Sequence, residues 1–308
     1  MDKDEAILKD LPKAIEMLRL SQDFPPLLDC QIRMFEFMVS QCNSVSQLAT
    51  GAGKTYPAIC VPQVLDILRD TYGHSSIHDQ TRVLYILPLI NIFKSLETEM
   101  NNLKIPSQII RAGTTSEIDI GAKVIAISPE KLLDLGVMQS VLQLQWSVIV
   151  IDEPHLVLMW GTSKSRKKPF RKAMAELSKL NNLGTVFECH SATIENFDAL
   201  HSFFGRKNSE WRKQIMSPNR ANLTYILLKG SDAPASILQL SCVRNILEAK
   251  YTGILLVYVQ RVSDGAQIFF ELLEYCEKHG LINYSPLEKS PKKPFAFLHS
   301  KLSEESTQ

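Results

Sequence analysis

The chain carries a glycine-rich stretch near its N-terminal end, Leu48-Ala49-Thr50-Gly51-Ala52-Gly53-Lys54-Thr55. The preceding residues Val45-Ser46-Gln47 can end a strand, and the apolar run Pro57–Leu65 can start a helix. A glycine-rich turn between a strand and a helix points several backbone N–H groups, and the positive end of the helix dipole, at one spot. Lys54 adds a mobile positive charge, and the Thr55 hydroxyl can hold Mg²⁺. The stretch therefore predicts a site for the β- and γ-phosphates of a nucleotide.

The strict form of this phosphate-binding motif has a glycine five positions before Gly53, where this chain has Leu48. The relaxed form that remains, Gly51 with Gly53-Lys54-Thr55, also occurs by chance in turns. Its meaning depends on what the rest of the chain brings beside it.

The composition is that of a soluble globular chain: 308 residues, 45% hydrophobic and 22% charged. That length predicts one large domain or two of ordinary size. Because the formal net charge is only +1, any nucleic-acid binding would depend on local basic patches. The six cysteines lack C-x-x-C spacing and no signal peptide opens the chain, which predicts an intracellular protein with reduced thiols. The apolar runs are too short to span a bilayer, so no membrane association is expected.

Apolar segments of strand length alternate along the first 204 residues with segments of helical periodicity. This alternation predicts an α/β fold, a parallel sheet with helices on both faces and with ligands at the carboxyl ends of its strands. The predicted strands are Thr81–Leu87, Ser107–Arg111, Lys123–Ile127, Ser147–Ile151 and Thr185–Cys189. The predicted helices are residues 1–20, Leu27–Ser40, Ile90–Leu103, a segment after Ser128-Pro129-Glu130 through Leu135, Lys172–Leu180 and Ile194–Phe204.

Turn residues at Met216–Ala221 mark a domain boundary. The prediction is a first domain at 1–217, with 1–26 as an N-terminal extension, and a second domain at 218–308. In the second domain the pattern predicts strands at Leu223–Leu228, Gly253–Val259 and Phe295–His299, and helices at Ser236–Glu248 and Ala266–Lys278.

A second motif, Asp152-Glu153-Pro154-His155, follows the strongly β-branched segment Ser147–Ile151. A strand that delivers two adjacent acids at its carboxyl end can supply a Mg²⁺ ligand, Asp152, beside the hydroxyl of the phosphate loop. The second acid, Glu153, can orient and deprotonate an attacking water. Both motifs together predict nucleotide hydrolysis.

A third motif, His190-Ser191-Ala192-Thr193, comes directly after the predicted strand that ends at Cys189. Small hydroxyl residues at that place can hydrogen bond the acidic motif and transmit the state of the nucleotide. Taken alone, the same triplet is an ordinary strand-end turn and helix cap.

In their order and spacing, these motifs resemble those of the superfamily 2 helicases, and within that group most closely the RecQ family. The matching segments are Gly51–Thr55 for the first motif, Leu87–Lys94 for motif Ia, Ile127–Leu132 for the family's Ala-Pro-Glu-Arg-Leu, Asp152–His155 for its Asp-Glu-Ala-His, Trp160-Gly161 for the start of its aromatic-rich loop, Ser191–Thr193 for motif III, and Gly253–Gln260 with Phe297–Leu302 for the start of a second domain. The resemblance implies a RecA-like P-loop NTPase domain followed by a partial second RecA-like domain.

The resemblance also implies a role for each matched residue, with ATP and Mg²⁺ as cofactors and single-stranded or forked DNA as partner. Catalysis would use Lys54, Asp152, Glu153 and His155. The residues that would bind the nucleotide are Gln31, which would contact the adenine, and Thr50, Gly51, Ala52, Gly53, Lys54 and Thr55. Magnesium would be held by Thr55 and Asp152. DNA would be bound by Pro88, Lys94, Trp160, Phe170 and Arg171, and Ser191 and Thr193 would couple the nucleotide site to the DNA site.

The chain departs from the family pattern at several of these places. Leu28 stands where the family has an adenine-stacking arginine, Pro154 replaces alanine, and Met159 replaces glutamine. The stretch Thr162–Lys168 is basic where the family has His-Asp, so base selectivity and DNA sensing are expected to differ. Motifs V and VI would follow Leu302 and are absent. Because motif VI supplies arginine fingers to the γ-phosphate, the chain is expected to be a fragment that binds ATP better than it hydrolyses it.

Three hypotheses follow. The first is an ATP-dependent DNA translocase of RecQ type, for which the resemblance implies 3′ to 5′ polarity. The second is an RNA-directed relative in the same superfamily, and the third is a module that binds nucleotide or nucleic acid without turnover. The resemblance and the basic stretch Ser165–Pro169 also predict a nuclear location.

Overall fold

The computed structural model describes residues 3–114, 117–161, 169–205, 207, 210–219, 257–258 and 261–279. The chain divides into two compact units, Met1–Leu223 and Thr224–Gln308. No helix among the described residues is long and apolar enough to cross a membrane. The assignment of the units to a complete and an incomplete RecA-like domain stays a prediction.

The first unit is built on a parallel sheet of seven strands in the order β3-β4-β2-β5-β6-β1-β7. The adjacent strands β2 and β5, near the centre of the sheet, are completely buried. The near-continuous Val, Leu and Ile content of their sequences predicts this burial. The strands are β1 (Asn43–Gln47), β2 (Val83–Ile86), β3 (Ser107–Ile110), β4 (Val124–Ile127), β5 (Val148–Asp152), β6 (Val186–Ser191) and β7 (Trp211–Ile215).

Eight α-helices accompany the described part of this sheet: α1 (Lys3–Ser21), α2 (Asp29–Val39), α3 (Thr55–Asp70), α4 (Ile92–Asn102), α5 (Leu135–Gln143), α6 (His155–Gly161), α7 (Lys172–Ala175) and α8 (Phe197–Phe203). Short 3₁₀ helices precede α5 at Lys131–Leu133 and follow α7 at Glu176–Leu183.

Side chains of successive strand residues point to opposite faces of the sheet, and each face has its own hydrophobic core. Val83 and Tyr85 of β2 join the core that contains α1, α2, α3 and α4. Leu84 and Ile86 of the same strand join the core that contains α5, α6, α7 and α8. The predicted parallel sheet with helices on both faces is therefore confirmed.

Several element boundaries differ from the predictions. The helix expected to continue through Leu135 is wrong, because the Asp134 carboxylate accepts the Gly136 N–H and starts α5 there. α8 begins at Phe197 rather than Ile194, because Asn196 caps it by accepting the Ala199 N–H at 2.8 Å. The α-helical part of Lys172–Leu180 stops at Ala175, and β6 continues to Ser191 instead of stopping at Cys189.

The sequence pattern predicts neither α6 nor β7. α6 follows Pro154 directly and has only seven residues, too few for a helical periodicity to be visible. β7 is an edge strand in which Arg212 and Lys213 are exposed, so it lacks the apolar run of the other strands.

In the second unit the described residues include one helix, α9 (Val262–Lys278), which confirms the helix predicted at Ala266–Lys278 and starts it four residues earlier. The other elements predicted there lie wholly or largely outside the described residues. They are the strands Leu223–Leu228, Gly253–Val259 and Phe295–His299 and the helix Ser236–Glu248.

The predicted N-terminal extension is part of the first core. Leu11 of α1 is 1% exposed and packs in the same cluster as α3, whereas Leu20 of the same helix is 63% exposed. We expect Leu11→Ala to lower the free energy of unfolding by about 2–5 kcal/mol, because it leaves a cavity, and Leu20→Ala to change it by less than about 0.5 kcal/mol. Urea unfolding of both variants measures the two changes in free energy. Equal changes would show that α1 is not packed in the hydrophobic core of the first unit.

Candidate functional site

The glycine-rich turn joins the carboxyl end of β1 to the first residue of α3, Thr55. Gly51 and Gly53 have φ angles of 85° and 68°, in the left-handed region that glycine adopts at no steric cost. This geometry points the free N–H groups of the first turn of α3 towards the loop, and such a helix end binds phosphate. The structure therefore forms a glycine-rich turn at a helix N-terminus in spite of Leu48, and phosphate binding by this loop, called the phosphate loop below, stays a prediction.

Lys54 lies inside this loop. Its Nζ donates to the carbonyl oxygens of Leu48 and Ala49 at 3.0 and 3.2 Å. Burial lowers the pKa of Lys54, and the negative charges of Glu153 and Asp152 act in the opposite direction. The two acids are thus close enough to interact with the Lys54 ammonium, as the nucleotide-site prediction requires.

Strand register explains why these groups meet. β6 lies between β5 and β1, with Asp152 opposite His190 and Gln47 opposite Ser191. The Leu48 N–H donates to the Ser191 carbonyl, so the phosphate loop begins where β6 ends. The carboxyl ends of three parallel strands thus hold the loop, the acidic motif and the third motif at one edge of the sheet.

Gln31, the predicted adenine contact, is buried and bound to the phosphate loop. Its Nε2 donates to the Gly53 carbonyl at 3.0 Å, and its Oε1 accepts the Leu28 N–H at 2.8 Å. An amide has two N–H donors and a carbonyl oxygen, so one N–H remains for a base. The Leu28 side chain is 55% exposed beside it.

The acidic and third motifs form one hydrogen-bonded cluster. The Ser191 hydroxyl donates to the Glu153 carboxylate, accepts the Thr193 N–H at 3.1 Å, and lies 3.1 Å from His155 Nδ1. His155 Nδ1 is also 3.3 Å from Glu153 Oε2. Glu153 has a φ of 49°, a left-handed backbone that costs free energy outside glycine and is typical of functional sites.

The oxygen donors fit Mg²⁺. The Thr55 hydroxyl and the Asp152 carboxylate belong to strand and helix ends at the same edge of the sheet, and Mg²⁺ is commonly held by one or two protein oxygens together with nucleotide phosphates. No group of three or more His, Cys, Asp or Glu side chains suited to a metal occurs in the described part of the chain. The two oxygen donors, Thr55 and Asp152, suit a metal that is held together with a nucleotide.

Four of the five predicted DNA-binding residues contact one another. The Arg171 guanidinium donates to the Pro88 carbonyl at 2.6 Å and lies 5.1 Å from the Trp160 ring, which packs edge-on against Phe170. Lys94, the fifth, is exposed on α4. The basic stretch Thr162–Lys168 lies outside the described residues.

Sequence reasoning missed Glu130 and Tyr85 as partners in the site and gave His190, the first residue of the third motif, no role of its own. Glu130 accepts two hydrogen bonds from Arg171, at 2.9 and 2.6 Å. His190 and Tyr85 are buried next to Asp152, with 3.3 Å between His190 Nε2 and Asp152 Oδ1 and 3.0 Å between His190 Nε2 and the Tyr85 hydroxyl. The hydroxyl of Tyr85 inside a strand that the pattern predicts to be buried is the signal that could have marked that residue.

The profile of the DEAD/DEAH box helicase family matches residues 29–200, more than half of the chain. The chain belongs to the DEAD/DEAH box helicase family. That match covers the phosphate loop, the acidic motif and the third motif. The narrower resemblance to the RecQ family receives no support from it.

Solved structures share the fold at low identity. Dbp5 of S. cerevisiae, bound to Gle1 and IP6, is 16% identical with a TM-score of 0.55, over 85% of this chain and 63% of its own. The DEAD-box helicase Mss116, bound to ssRNA and UDP-BeF, is 14% identical with a TM-score of 0.55, over 88% and 56%. A hypothetical ATP-dependent RNA helicase from Sulfolobus tokodaii is 15% identical with a TM-score of 0.49, over 66% and 57%.

The likenesses to Dbp5 and Mss116 show the fold alone. This chain spans 56% to 63% of the length of the three proteins. No curated protein matches the sequence.

The contact between Gln31 and the loop gives a test of the site. A Cβ at Gly53 would lie 2.5 Å from Gln31 Nε2, whereas one at Gly51 would meet nothing within 4 Å. Both positions have positive φ, so we expect Gly51→Ala to cost about 1–2 kcal/mol and Gly53→Ala clearly more. In a chain that also carries Gln31→Ala, the difference in unfolding free energy between Gly53→Ala and Gly51→Ala should become smaller. Urea unfolding without nucleotide measures all four variants, and an unchanged difference would mean that Gln31 does not abut the loop.

Proposed function

We propose that this chain is the nucleotide-binding part of an ATP-driven motor that acts on single-stranded nucleic acid, with ATP and Mg²⁺ as cofactors. The observation that carries the proposal is the convergence of the phosphate loop, the Asp152 and Glu153 carboxylates and the third motif at one edge of the sheet. Membership of a helicase family supports the same activity.

The side chains suggest how each step would proceed. Lys54 and the N–H groups of the first turn of α3 would bind the β- and γ-phosphates. Thr55 and Asp152 would hold Mg²⁺, which neutralises charge on the phosphates when it is bound. Glu153 would accept a proton from the attacking water, and its hydrogen bond from Ser191 would fix the carboxylate in position.

One short helix could couple hydrolysis to nucleic acid. α6 has Glu153 and His155 at its N-terminal end and Trp160 at its C-terminal end. Seven residues rise about 10 Å in an α-helix, so a displacement at the aromatic end would reach the acids through a single rigid element. Gly161 supports this role because a Cβ there would lie 2.9 Å from the Ala175 nitrogen, so α6 packs closely on α7.

Exposed apolar side chains surround the aromatic end of α6. Phe170 is 79% exposed beside Trp160, and Ile90 is 56% exposed two residues after Pro88. Exposed aromatic rings next to a cationic side chain are a common platform on which the bases of a single strand stack. This surface is the support for single-stranded nucleic acid as substrate.

We propose DNA as the strand, with 3′ to 5′ movement, from the RecQ-like Trp160-Gly161 and Phe170-Arg171. RNA is the second candidate, favoured by the match to the DEAD/DEAH box family and by the likeness of the fold to Mss116 bound to ssRNA. A nuclear location rests on the basic stretch Ser165–Pro169 and stays a proposal.

The nucleotide site is tested by two variants of the 308-residue chain. We expect Lys54→Ala to abolish ATP binding, because it removes the phosphate-binding cation, and Glu153→Gln to keep binding while lowering hydrolysis about 10²–10⁴-fold. Equilibrium binding of a fluorescent ATP analogue and phosphate release measure the two effects.

Full-rate hydrolysis by Lys54→Ala would refute the site assignment. If the unaltered chain binds ATP and releases no phosphate, the module without turnover replaces the motor. Lys179→Ala, on the surface outside the site, is the control that should change neither measurement.

The substrate is tested by stimulation of ATP hydrolysis with single-stranded DNA and RNA of the same sequence and length. DNA is expected to stimulate more strongly, and Phe170→Ala to weaken the stimulation because it removes a stacking surface worth about 1–3 kcal/mol per base. Stronger stimulation by RNA would reverse the substrate assignment while leaving the nucleotide site intact.

A further inference from the structure

A stripe of polar side chains runs through the core on the face of the sheet covered by α1 to α4. In the middle of a sheet such groups cost free energy unless they are hydrogen bonded, so their positions need an explanation. The stripe consists of Ser44 and Ser46 of β1, Glu188 and His190 of β6, and Tyr85 of β2, each at most 2% exposed. It ends at Asp152.

At this end the stripe reaches a candidate Mg²⁺ ligand. His190 Nε2 lies 3.3 Å from Asp152 Oδ1 and 3.0 Å from the Tyr85 hydroxyl. Tyr85 and His190 therefore form a chain of contacts that ends at the Asp152 carboxylate.

The other end of the stripe lies beside the histidine on the same face of the sheet. Register places Ser46 opposite His190 and Ser44 opposite Glu188, and the Ser44 hydroxyl donates to the Glu188 carboxylate. The His190 ring is 1% exposed and meets the Tyr85 ring edge-on, with 5.8 Å between their centroids. A ring enclosed on all sides has little freedom to rotate, so the direction of Nε2 is set before any ligand binds.

We infer that Tyr85 and His190 are positioning residues that hold the Asp152 carboxylate in the orientation that a nucleotide-bound Mg²⁺ requires. The inference rests on the proposed nucleotide site. It differs from a purely structural role in one respect: loss of either side chain should weaken the response to Mg²⁺ specifically, because the partners of a ligand orient it and tune its affinity.

The experiment compares Tyr85→Phe, His190→Phe and His190→Gln. Binding of a fluorescent ATP analogue is titrated across Mg²⁺ concentrations and, separately, in EDTA. We expect Tyr85→Phe and His190→Phe to raise the Mg²⁺ concentration for half-maximal binding by about 10-fold, the lower end of the effect of losing such a partner. Affinity in EDTA should stay unchanged. His190→Gln keeps an N–H donor near the position of Nε2 and should restore much of the Mg²⁺ response.

Matched controls lie elsewhere in the first unit. His201 is as deeply buried as His190, but on α8, where it stacks on Trp211. The Tyr72 hydroxyl lies 4.0 Å from Met17 Sδ, next to α1. His201→Phe and Tyr72→Phe should leave the Mg²⁺ titration unchanged, whatever they do to the melting temperature.

The possible outcomes distinguish failure of this inference from failure of the proposed function. If the unaltered chain binds the analogue in Mg²⁺ and both Tyr85→Phe and His190→Phe keep its Mg²⁺ requirement, the stripe is structural only and the inference is wrong. If the unaltered chain binds no nucleotide at any Mg²⁺ concentration, the proposed function fails and takes the inference with it. Tyr85→Phe retains the ring and its packing, so it decides the question even if His190→Phe does not fold.

Discussion

The site depends on the hydrogen bonds that leave the carboxyl end of β6. The Ser191 carbonyl accepts the Leu48 N–H on one side, and the His190 carbonyl accepts the Glu153 N–H on the other. Two loops that are about a hundred residues apart in the sequence are thereby fixed to adjacent residues of a single strand. The relative position of phosphate loop and acidic motif thus follows from parallel pairing, before any side chain of the site is considered.

This arrangement carries local costs. Glu153 adopts a left-handed φ, and a row of polar groups is buried on the sheet face that ends at Asp152. Each of these is unfavourable in isolation, by an amount on the order of 1–3 kcal/mol for such a backbone or for a buried polar group that lacks its partner. They persist because the completely buried strands β2, β4 and β5 hold the sheet together. The core therefore stabilises a site that would not be stable by itself.

The sequence predicts the sheet and its helices because five strands are apolar runs between turn residues. It also predicts which residues form the candidate site, because the glycine-rich loop, the acidic motif and the hydroxyls of the third motif each follow such a run. It does not predict β7, because the exposed Arg212 and Lys213 interrupt the apolar pattern of this edge strand. It does not predict α6 either, because seven residues are too few for a helical periodicity to be visible. Contacts between residues that are far apart in the sequence cannot be predicted from the sequence pattern either. Tyr85 and His190 are 105 residues apart, and only the register of the strands between them brings them together.

Arg171 shows how contacts change the meaning of a residue chosen from the sequence. Its side chain is occupied by the Pro88 carbonyl and the Glu130 carboxylate and packs on Trp160, so it joins three segments that are distant from one another in the sequence. Its pair with Glu130 is half exposed on the acidic side, where an ion pair contributes little to stability. The contacts with Pro88 and Trp160, rather than the ion pair, therefore hold Arg171 in its place, and its assignment to nucleic acid stays a proposal.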